Sequence, residues 1–286
     1  MAAADVLLLT GGTDMPAPDP ESGLLVAALA DRGLRAELVV WDGGVDWSAA
    51  ALVVSRTPWD YIDRPEAFVA RLREIAAVTT LVNDAELIAW NVHKGYLDEL
   101  AQAGVPVVPL SVVRRGAGVA AMDAARTAFG DEIVIKPAIS AGAWKAIRTT
   151  AASSEAREHL AALIEAEDAL VQPYLASVQD GEVSLIYLDG ALSHAVRKVP
   201  AHGDFRVHAE YGGSIERHDP TDAEREVAAA VLRAAPAPTT YARIDLVEGA
   251  DGPLLMEAEL IDPELFLPYD DGAAARYAGV LVGLLA

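Results

Sequence analysis

The sequence predicts an α/β domain followed by a larger α+β domain. Over the first hundred residues strands alternate with helices, and the strands are apolar along their whole length, the pattern of a parallel sheet covered on both faces. After Val105-Pro-Val-Val-Pro109 strands follow one another with few helices between them. At 286 residues the chain is long enough for roughly two domains of ordinary size.

Asp5 to Thr10 is a short apolar run that ends in Gly11-Gly12 and then meets Pro16, Pro18 and Pro20, a buried strand entering a loop. Ser22 to Arg32 carries Leu24, Leu25, Ala28 and Leu29 at helical spacing, and Gly33 is a natural stop. Arg35 to Trp41, Ala51 to Val54 and Thr80 to Val82 read as strands, with a helix from Pro65 to Ala77. Further strands are expected at Asp131–Lys136, Trp144–Arg148, Ala169–Gln172, Glu182–Leu188 and Ala191–Lys198. Leu188-Asp-Gly-Ala191 is a hairpin signal, because Asp-Gly supplies the positive φ angles of a tight turn. Helices return at Ser153–Glu167, Thr221–Arg233 and Asp271–Leu285.

Composition excludes several function classes. There are 22 Lys plus Arg against 43 Asp plus Glu, a net charge of −21. Nucleic acid is therefore not expected as a partner, since counterion release on a phosphate backbone needs a basic surface. The absence of cysteine excludes disulfides, thiolate zinc sites and a cysteine nucleophile. Met1 to Thr10 has no basic region and too short an apolar run for a signal peptide or membrane span, so a cytoplasmic protein with no membrane partner is expected. Only four of the basic residues are lysines, Lys94, Lys136, Lys145 and Lys198, and each is worth inspecting.

Ile133-Val-Ile-Lys-Pro137 followed by Ala138-Ile-Ser-Ala-Gly142 places a lysine at the end of an apolar strand beside a loop of small residues. Such a lysine can point into a cleft while backbone N–H groups wrap an anion. Taken alone, the segment also reads as a plain strand running into a loop. Near the C-terminus, Asp245 is flanked by apolar residues, and Glu257 and Glu259 alternate on the next strand and so share a face. Three carboxylates on neighbouring strands repel unless cations lie between them, and hard oxygen ligands suit Mg2+ bound together with substrate phosphates. The alternative, an edge strand with a solvated acidic face, sits badly with the apolar neighbours. Between these features lie Val171-Gln-Pro-Tyr-Leu175, Asp180-Gly-Glu182, Arg197-Lys-Val-Pro200 and Gly203-Asp-Phe-Arg206, where Lys198 and Arg206 are placed to hold anionic groups. Arg56, in Arg56-Thr-Pro-Trp-Asp-Tyr61, follows an apolar strand at its carboxyl end, where α/β sheets bind ligands. It is expected to grip a substrate carboxylate or phosphate, with Trp59, Asp60 and Tyr61 shaping the pocket; the alternative is a surface arginine before a proline turn.

The ordered set of Lys94, Val134-Ile-Lys-Pro137, Gln172-Pro-Tyr-Leu175, Gly181-Glu182, Lys198-Val-Pro200, Gly203-Asp-Phe-Arg206, Gly212-Gly213, Ile244-Asp245 and Met256-Glu-Ala-Glu259 resembles the ATP-grasp ligases, bacterial glutathione synthetase among them. The resemblance covers about Leu81 to Leu267. Arg56-Thr-Pro-Trp-Asp-Tyr61, Trp90-Asn91, Lys136-Pro-Ala-Ile-Ser-Ala-Gly142 and Met256 to Phe266 look more like a narrower group, which contains the O-ureido-D-serine cyclo-ligases of D-cycloserine formation. The fold this implies has an N-terminal parallel α/β substrate domain, residues 1–108, and two α+β subdomains, 109–175 and 176–286, that clasp ATP.

Carried over residue by residue, Lys94 and Lys136 would be the ATP lysines and Ser140, Ala141 and Gly142 part of the phosphate-covering loop. Gln172, Tyr174 and Leu175 would form the hinge against adenine, and Glu182 would hold the ribose. Arg206 would contact the reacting γ-phosphate and carboxylate, with Lys198 beside it. Asp245, Glu257 and Glu259 would hold Mg2+, two ions in the family pattern. The family's third ligand is usually asparagine where this chain has Glu259, and an asparagine commonly follows the arginine where this chain has His208.

The implied reaction activates a carboxylate as an acyl phosphate, which a nitrogen nucleophile displaces. Trp144 and Lys145 sit where a water-excluding lid belongs. The expected substrate is a small amino-acid-like molecule, and the resemblance is compatible with a homodimer. His93 and Glu264 are read as structural. A ligase joining two separate amino acids is the main alternative to cyclisation. A non-enzymatic nucleotide-binding protein fits the retained lysines and carboxylates poorly. An NAD-dependent oxidoreductase is disfavoured because Leu9-Thr-Gly-Gly-Thr13 lacks the Gly-x-Gly-x-x-Gly fingerprint.

Overall fold

The computed structural model describes residues 4–12, 20–118, 120–201, 204–207 and 212–285. His208 and Gly203 from the predicted Arg206 segment, and Pro16 and Pro18 from the first loop, lie outside them. The strands form three sheets that follow one another along the chain.

The first sheet is built from β1 (Val6–Thr10), α1 (Pro20–Ala30), β2 (Ala36–Val40), β3 (Leu52–Thr57), α2 (Pro65–Ala76) and β4 (Thr80–Val82). Its order is β2-β1-β3-β4 and its pairings are parallel. β1 and β3 are the central strands; their apolar runs, Val6 to Leu9 and Leu52 to Val54, are buried, and so are Ser55, Arg56 and Thr57 at the end of β3. Pro65 opens α2 at its first turn, and Phe68, Leu72 and Ile75 fall on the buried side. Each of these three is worth roughly 1.5–3 kcal/mol relative to exposure. Two short helices, α3 (Ala85–Val92) and α4 (Tyr96–Gln102), carry the chain onward and leave His93-Lys94-Gly95 between them.

The second sheet contains β5 (Ser111–Val113), α5 (Ala121–Phe129), β6 (Glu132–Pro137), β7 (Ile147–Thr150), α6 (Ser154–Ala166) and β8 (Ala169–Pro173), in the order β5-β8-β6-β7 with antiparallel pairings. The strand expected at Trp144–Arg148 begins only at Ile147. Left-handed backbone at Gly142, Ala143 and Lys145 curls the preceding residues into turns instead. Ile133 and Ile135 on β6 and Val171 on β8 pack with Leu160, Leu163 and Ile164 of α6. By the two-residue period of a strand, Val134 and Lys136 therefore face away from that core, as do Gln172 and, just past the strand's end, Tyr174.

The third sheet contains β9 (Glu182–Leu188), β10 (Ala191–Val199), β11 (Ser214–Arg217), α7 (Asp222–Ala234), β12 (Tyr241–Gly249) and β13 (Gly252–Glu259); α8 (Ala273–Gly283) follows it. Its order is β11-β10-β9-β12-β13, antiparallel throughout. Asp189 and Gly190, at φ 50° and 71°, make the predicted tight hairpin. A capping box of Thr221 and Glu224 starts α7, which buries Val227, Ala228 and Val231 against Val183, Leu185, Ile244 and Leu246. The opposite face is divided. Ile186, Leu188, Val196 and Tyr241 pack with residues of α1 and α8, so the C-terminal helix closes onto the N-terminal sheet. The remainder of that face carries charge. Among the described residues no helix is long and apolar enough to cross a membrane.

Candidate active site

The outward face of β6 and β8 and the charged part of the third sheet line one cavity. Strand periodicity explains who reaches it. Cross-strand register sets Lys198 opposite Glu182, Ser184 opposite Asp245, Asp245 opposite Glu257, and Arg243 opposite Glu259, so all of these share one face. Lys94 enters from the break between α3 and α4, and Ser140, Ala141 and Gly142 from the loop after β6. Lys136, Gln172, Tyr174, Leu175 and Arg206 complete the set, so every residue expected at the nucleotide and the metal lines this cavity, whereas Arg56, Trp59, Asp60, Tyr61, Trp144 and Lys145 do not.

The cavity has two chemically different ends. Val108, Tyr174, Leu175, Phe205 and Met256 belong to one apolar cluster and form a dry end. At the other end each carboxylate holds a cation. Lys94 Nζ lies 2.6 Å from Glu257 and donates to the Ser140 carbonyl at 2.8 Å. Lys198 Nζ lies 2.5 Å from Glu182 and 3.3 Å from Asp245. Arg243 donates to Asp245 at 2.9 Å and to Glu259, and Ser184 donates to Asp245 at 2.5 Å. Arg206 is clasped by Asp204, at 2.7 Å.

These pairings set the protonation states. Burial opposes charge on Asp245, but Arg243 and Lys198 outweigh it and hold the carboxyl well below the usual range. Glu257 is lowered in the same way, Lys94 and Lys136 overcoming burial. Burial also opposes charge on Lys198, yet Asp245 and Glu182 keep its ammonium above the ordinary lysine value. Lys136 is lowered by burial, with Glu257 opposing and Lys94 adding to the fall. Burial pushes Glu259 up to about 7; Arg243 opposes, while Glu257 and Asp245 add to the rise.

A second cavity adjoins the first and shares Lys94, Ser140, Ala141, Gly142, Arg243, Glu257 and Glu259 with it. Its far wall comes from Trp59, Asp60 and Tyr61 of the N-terminal domain, from Trp144, and from Ile261, Asp262 and Glu264. The Lys145 ammonium lies over the Trp144 ring, 3.8 Å from its centroid.

Comparison with known proteins places this geometry. Residues 6–83 match the model of the D-cycloserine synthetase DcsG N-terminal domain, and residues 107–250 match the ATP-grasp domain of prokaryotic glutathione synthetase. The cycloserine biosynthesis protein DcsG of Streptomyces lavendulae is 36% identical over 96% of both chains. The chain belongs to the ATP-grasp ligases. The crystal structure of D-cycloserine synthetase DcsG superposes with a TM-score of 0.89 at 33% identity, covering 98% of this chain and 99% of that one. A glutathione synthetase of Mesorhizobium japonicum is 30% identical over 56% of this chain and 50% of its own. A RimK domain ATP-grasp protein of Sphaerobacter thermophilus shares the fold, with a TM-score of 0.70 at 21% identity, covering 98% of this chain and 99% of that one. ATP-grasp ligases form C–N bonds, and their fold binds ATP with Mg2+.

The residues present fit both ligands of an ATP-grasp site. Gln172 is 2% exposed, and its Nε2 has no hydrogen-bond partner among the described residues. A buried amide donor beside the apolar end suits a ring nitrogen of a purine. Asp245, Glu257 and Glu259 are the hard oxygen donors that would hold Mg2+. Among the described residues no three such groups already converge as a metal cage. Lys94, Lys198 and Arg243 pair with these carboxylates.

The structure corrects the expectation for Arg56. Its side chain is fully buried, pairs with Glu21 at 3.2 Å and donates to the Pro263 carbonyl at 3.0 Å, and it lines neither cavity. At the carboxyl end of β3 the arginine meets Glu21 and the segment after β13. Glu264, read as structural from the sequence, lines the second cavity. Arg243 was missed, although its spacing two residues before Asp245 on one strand was the available signal. Asp262 was missed as well, being a loop residue whose burial no periodicity announces.

Proposed function

We propose that this ATP-grasp ligase is a cyclo-ligase that closes O-ureido-D-serine to D-cycloserine. The single observation that carries the reading is the extent of the likeness to DcsG, 36% identity over 96% of the chain. It includes the N-terminal domain, whose residues Trp59, Asp60 and Tyr61 wall the second cavity. Lys94, Lys136 and Arg206 would hold the transferring phosphoryl group, and Gln172, Tyr174 and Leu175 the base. Bound at Asp245, Glu257 and Glu259, Mg2+ supplies charge neutralisation at the phosphoryl oxygens. The substrate carboxylate takes the γ-phosphoryl group, giving an acyl phosphate and ADP. The substrate nitrogen bonded to oxygen then attacks the acyl carbon, the C–N bond forms, phosphate leaves and the nitrogen's proton passes to solvent. Water then cleaves the carbamoyl group from that nitrogen, so that ammonia and carbon dioxide are released with D-cycloserine. Trp144, over the second cavity, keeps water from the acyl phosphate.

The test is ADP release with Mg-ATP against O-ureido-D-serine alone and against amino acids singly and in pairs. Turnover with the single compound, with D-cycloserine as the product by mass spectrometry, is expected. Turnover only with pairs would replace cyclisation by the joining of two amino acids.

A further inference from the structure

Asp262, in the wall of the second cavity, differs from the carboxylates at the junction with the first. Glu257 and Glu259 each hold a cation, Lys94 and Arg243 respectively. Asp262 lines the second cavity at 9% exposure, and its Oδ2 is buried with no hydrogen-bond partner among the described residues. An isolated buried carboxylate is costly, and a cation brought by a ligand removes that cost.

The loop that carries Asp262 is fixed from several sides through its backbone. Asn83 donates to the Leu260 carbonyl at 2.8 Å, Tyr241 to that of Ile261 at 2.7 Å, Arg56 to that of Pro263 at 3.0 Å, and Arg243 to that of Glu264 at 3.2 Å. Trp59 reaches the carbonyl of Asp262 itself at 3.4 Å. None of these bonds uses the Asp262 carboxylate. Buried donors therefore hold the backbone of this residue still while its carboxyl group, at the wall of the cavity, keeps an oxygen without a partner among the described residues, which is how a recognition group is preorganised. Burial raises the Asp262 carboxyl to about 8, Glu259 adding to the rise and Arg56 and Lys94 opposing it, so the arrival of a cation beside it would draw off its proton.

We propose that Asp262 is the specificity residue that binds the ammonium group of an amino-acid-like substrate in the second cavity. The inference rests on the proposed function only in taking the substrate to carry an ammonium group beside the carboxylate that is activated. It orients the amino-acid head of that substrate, with the carboxylate toward Lys94, Arg243 and the shared wall, and the neighbouring ammonium toward Asp262.

The experiment compares O-ureido-D-serine with its des-amino counterpart, 3-(ureidooxy)propanoate, in the full-length wild type and in Asp262→Asn, following ADP release with Mg-ATP. The wild type is expected to favour the amino compound in kcat/KM by roughly 10- to 100-fold, the range of one charge-assisted hydrogen bond. In Asp262→Asn that preference should vanish through a raised KM for the amino compound. The KM for ATP and the turnover of the des-amino compound should stay unchanged. A wild type indifferent to the amino group overturns the inference without any variant. So does an Asp262→Asn enzyme that keeps the preference, or one that loses both substrates alike. If the wild type instead accepts only pairs of amino acids, cyclisation fails, and the same comparison is made with each accepted amino acid and its des-amino acid. A preference abolished by Asp262→Asn then upholds the role of Asp262, and one that survives removes it.

Discussion

Lys136 sits at the end of β6 among groups that oppose and favour its charge, and burial wins, so its ammonium is easier to neutralise than an ordinary lysine's. It contributes little to the fold and is placed to meet phosphate. Lys136→Ala is expected to abolish ADP formation while leaving the circular dichroism spectrum and the melting temperature near those of the wild type; an active variant would overturn the assignment. Arg56 is the opposite case. Both it and Glu21 are fully buried, and Glu21 also accepts from Leu265 N at 2.8 Å and Leu267 N at 2.7 Å. Removing the charge of one member takes from the other's buried charge the partner that lies 3.2 Å away. Glu21→Gln should therefore cost about 3–5 kcal/mol in urea unfolding. The double variant Glu21→Gln/Arg56→Met should cost less than the sum of the two singles. Additive losses would show that the pair acts independently.

Elements with a strong period were legible in the sequence. The central strands of the first sheet announced themselves by unbroken apolar runs, and α2, α6 and α7 by their caps and spacing. The cavity residues were legible because they alternate with core residues on β6, β8, β12 and β13. What was not legible has physical reasons. Helices α3 and α4 are only 8 and 7 residues long, two turns each, which give little periodicity to read. The fate of Arg56 depended on Glu21 and Pro263, which are distant in sequence and are brought together only when the segment after β13 crosses the N-terminal sheet. Within that crossing, His194 on β10 points its Nε2 at the carbonyls of Leu265, 2.8 Å, and Phe266, 3.2 Å. Burial lowers its pKa, the two carbonyls and Asp270 opposing and Arg276 adding to the fall, so the folded state keeps the ring neutral. An unfolded histidine takes up its proton near pH 6.5. Stability from this group is thus complete above about pH 6.5 and is lost as the pH falls through the lower folded value. The fall in melting temperature from pH 7.5 to 5.5 should be smaller in His194→Gln, which keeps an N–H donor but cannot titrate. Equal falls would exclude His194 as the source.

At the scale of the whole molecule, a chain of net charge −21 has to bind a polyanion. The structure reconciles the two by concentrating Lys94, Lys136, Lys198, Arg206 and Arg243 around one cavity. Each of Lys94, Lys198 and Arg243 is nonetheless engaged by a carboxylate there. Nucleotide arriving alone would have to draw these cations from Glu257, Glu182 and Glu259 and leave buried negative charge behind. A metal arriving alone would meet carboxylates that already hold their cations. When both arrive, Glu257 and Glu259 would turn to the metal while Lys94 and Arg243 would turn to the phosphates, so that less buried charge would be stranded. The two ligands are therefore coupled through the same residues, and by linkage the coupling is reciprocal. Thermal unfolding of the full chain should show this directly. Mg2+ alone and ADP alone should each move the melting temperature little, whereas saturating Mg-ADP should raise it by on the order of 5 °C, the size expected for a ligand at about a hundred times its Kd. Neutralising one exchange partner, as in Glu257→Gln, should shrink the difference between the joint shift and the sum of the separate ones. If ADP without metal produces the full shift, the exchange of partners does not govern binding, and the resident ion pairs are then no more than structural.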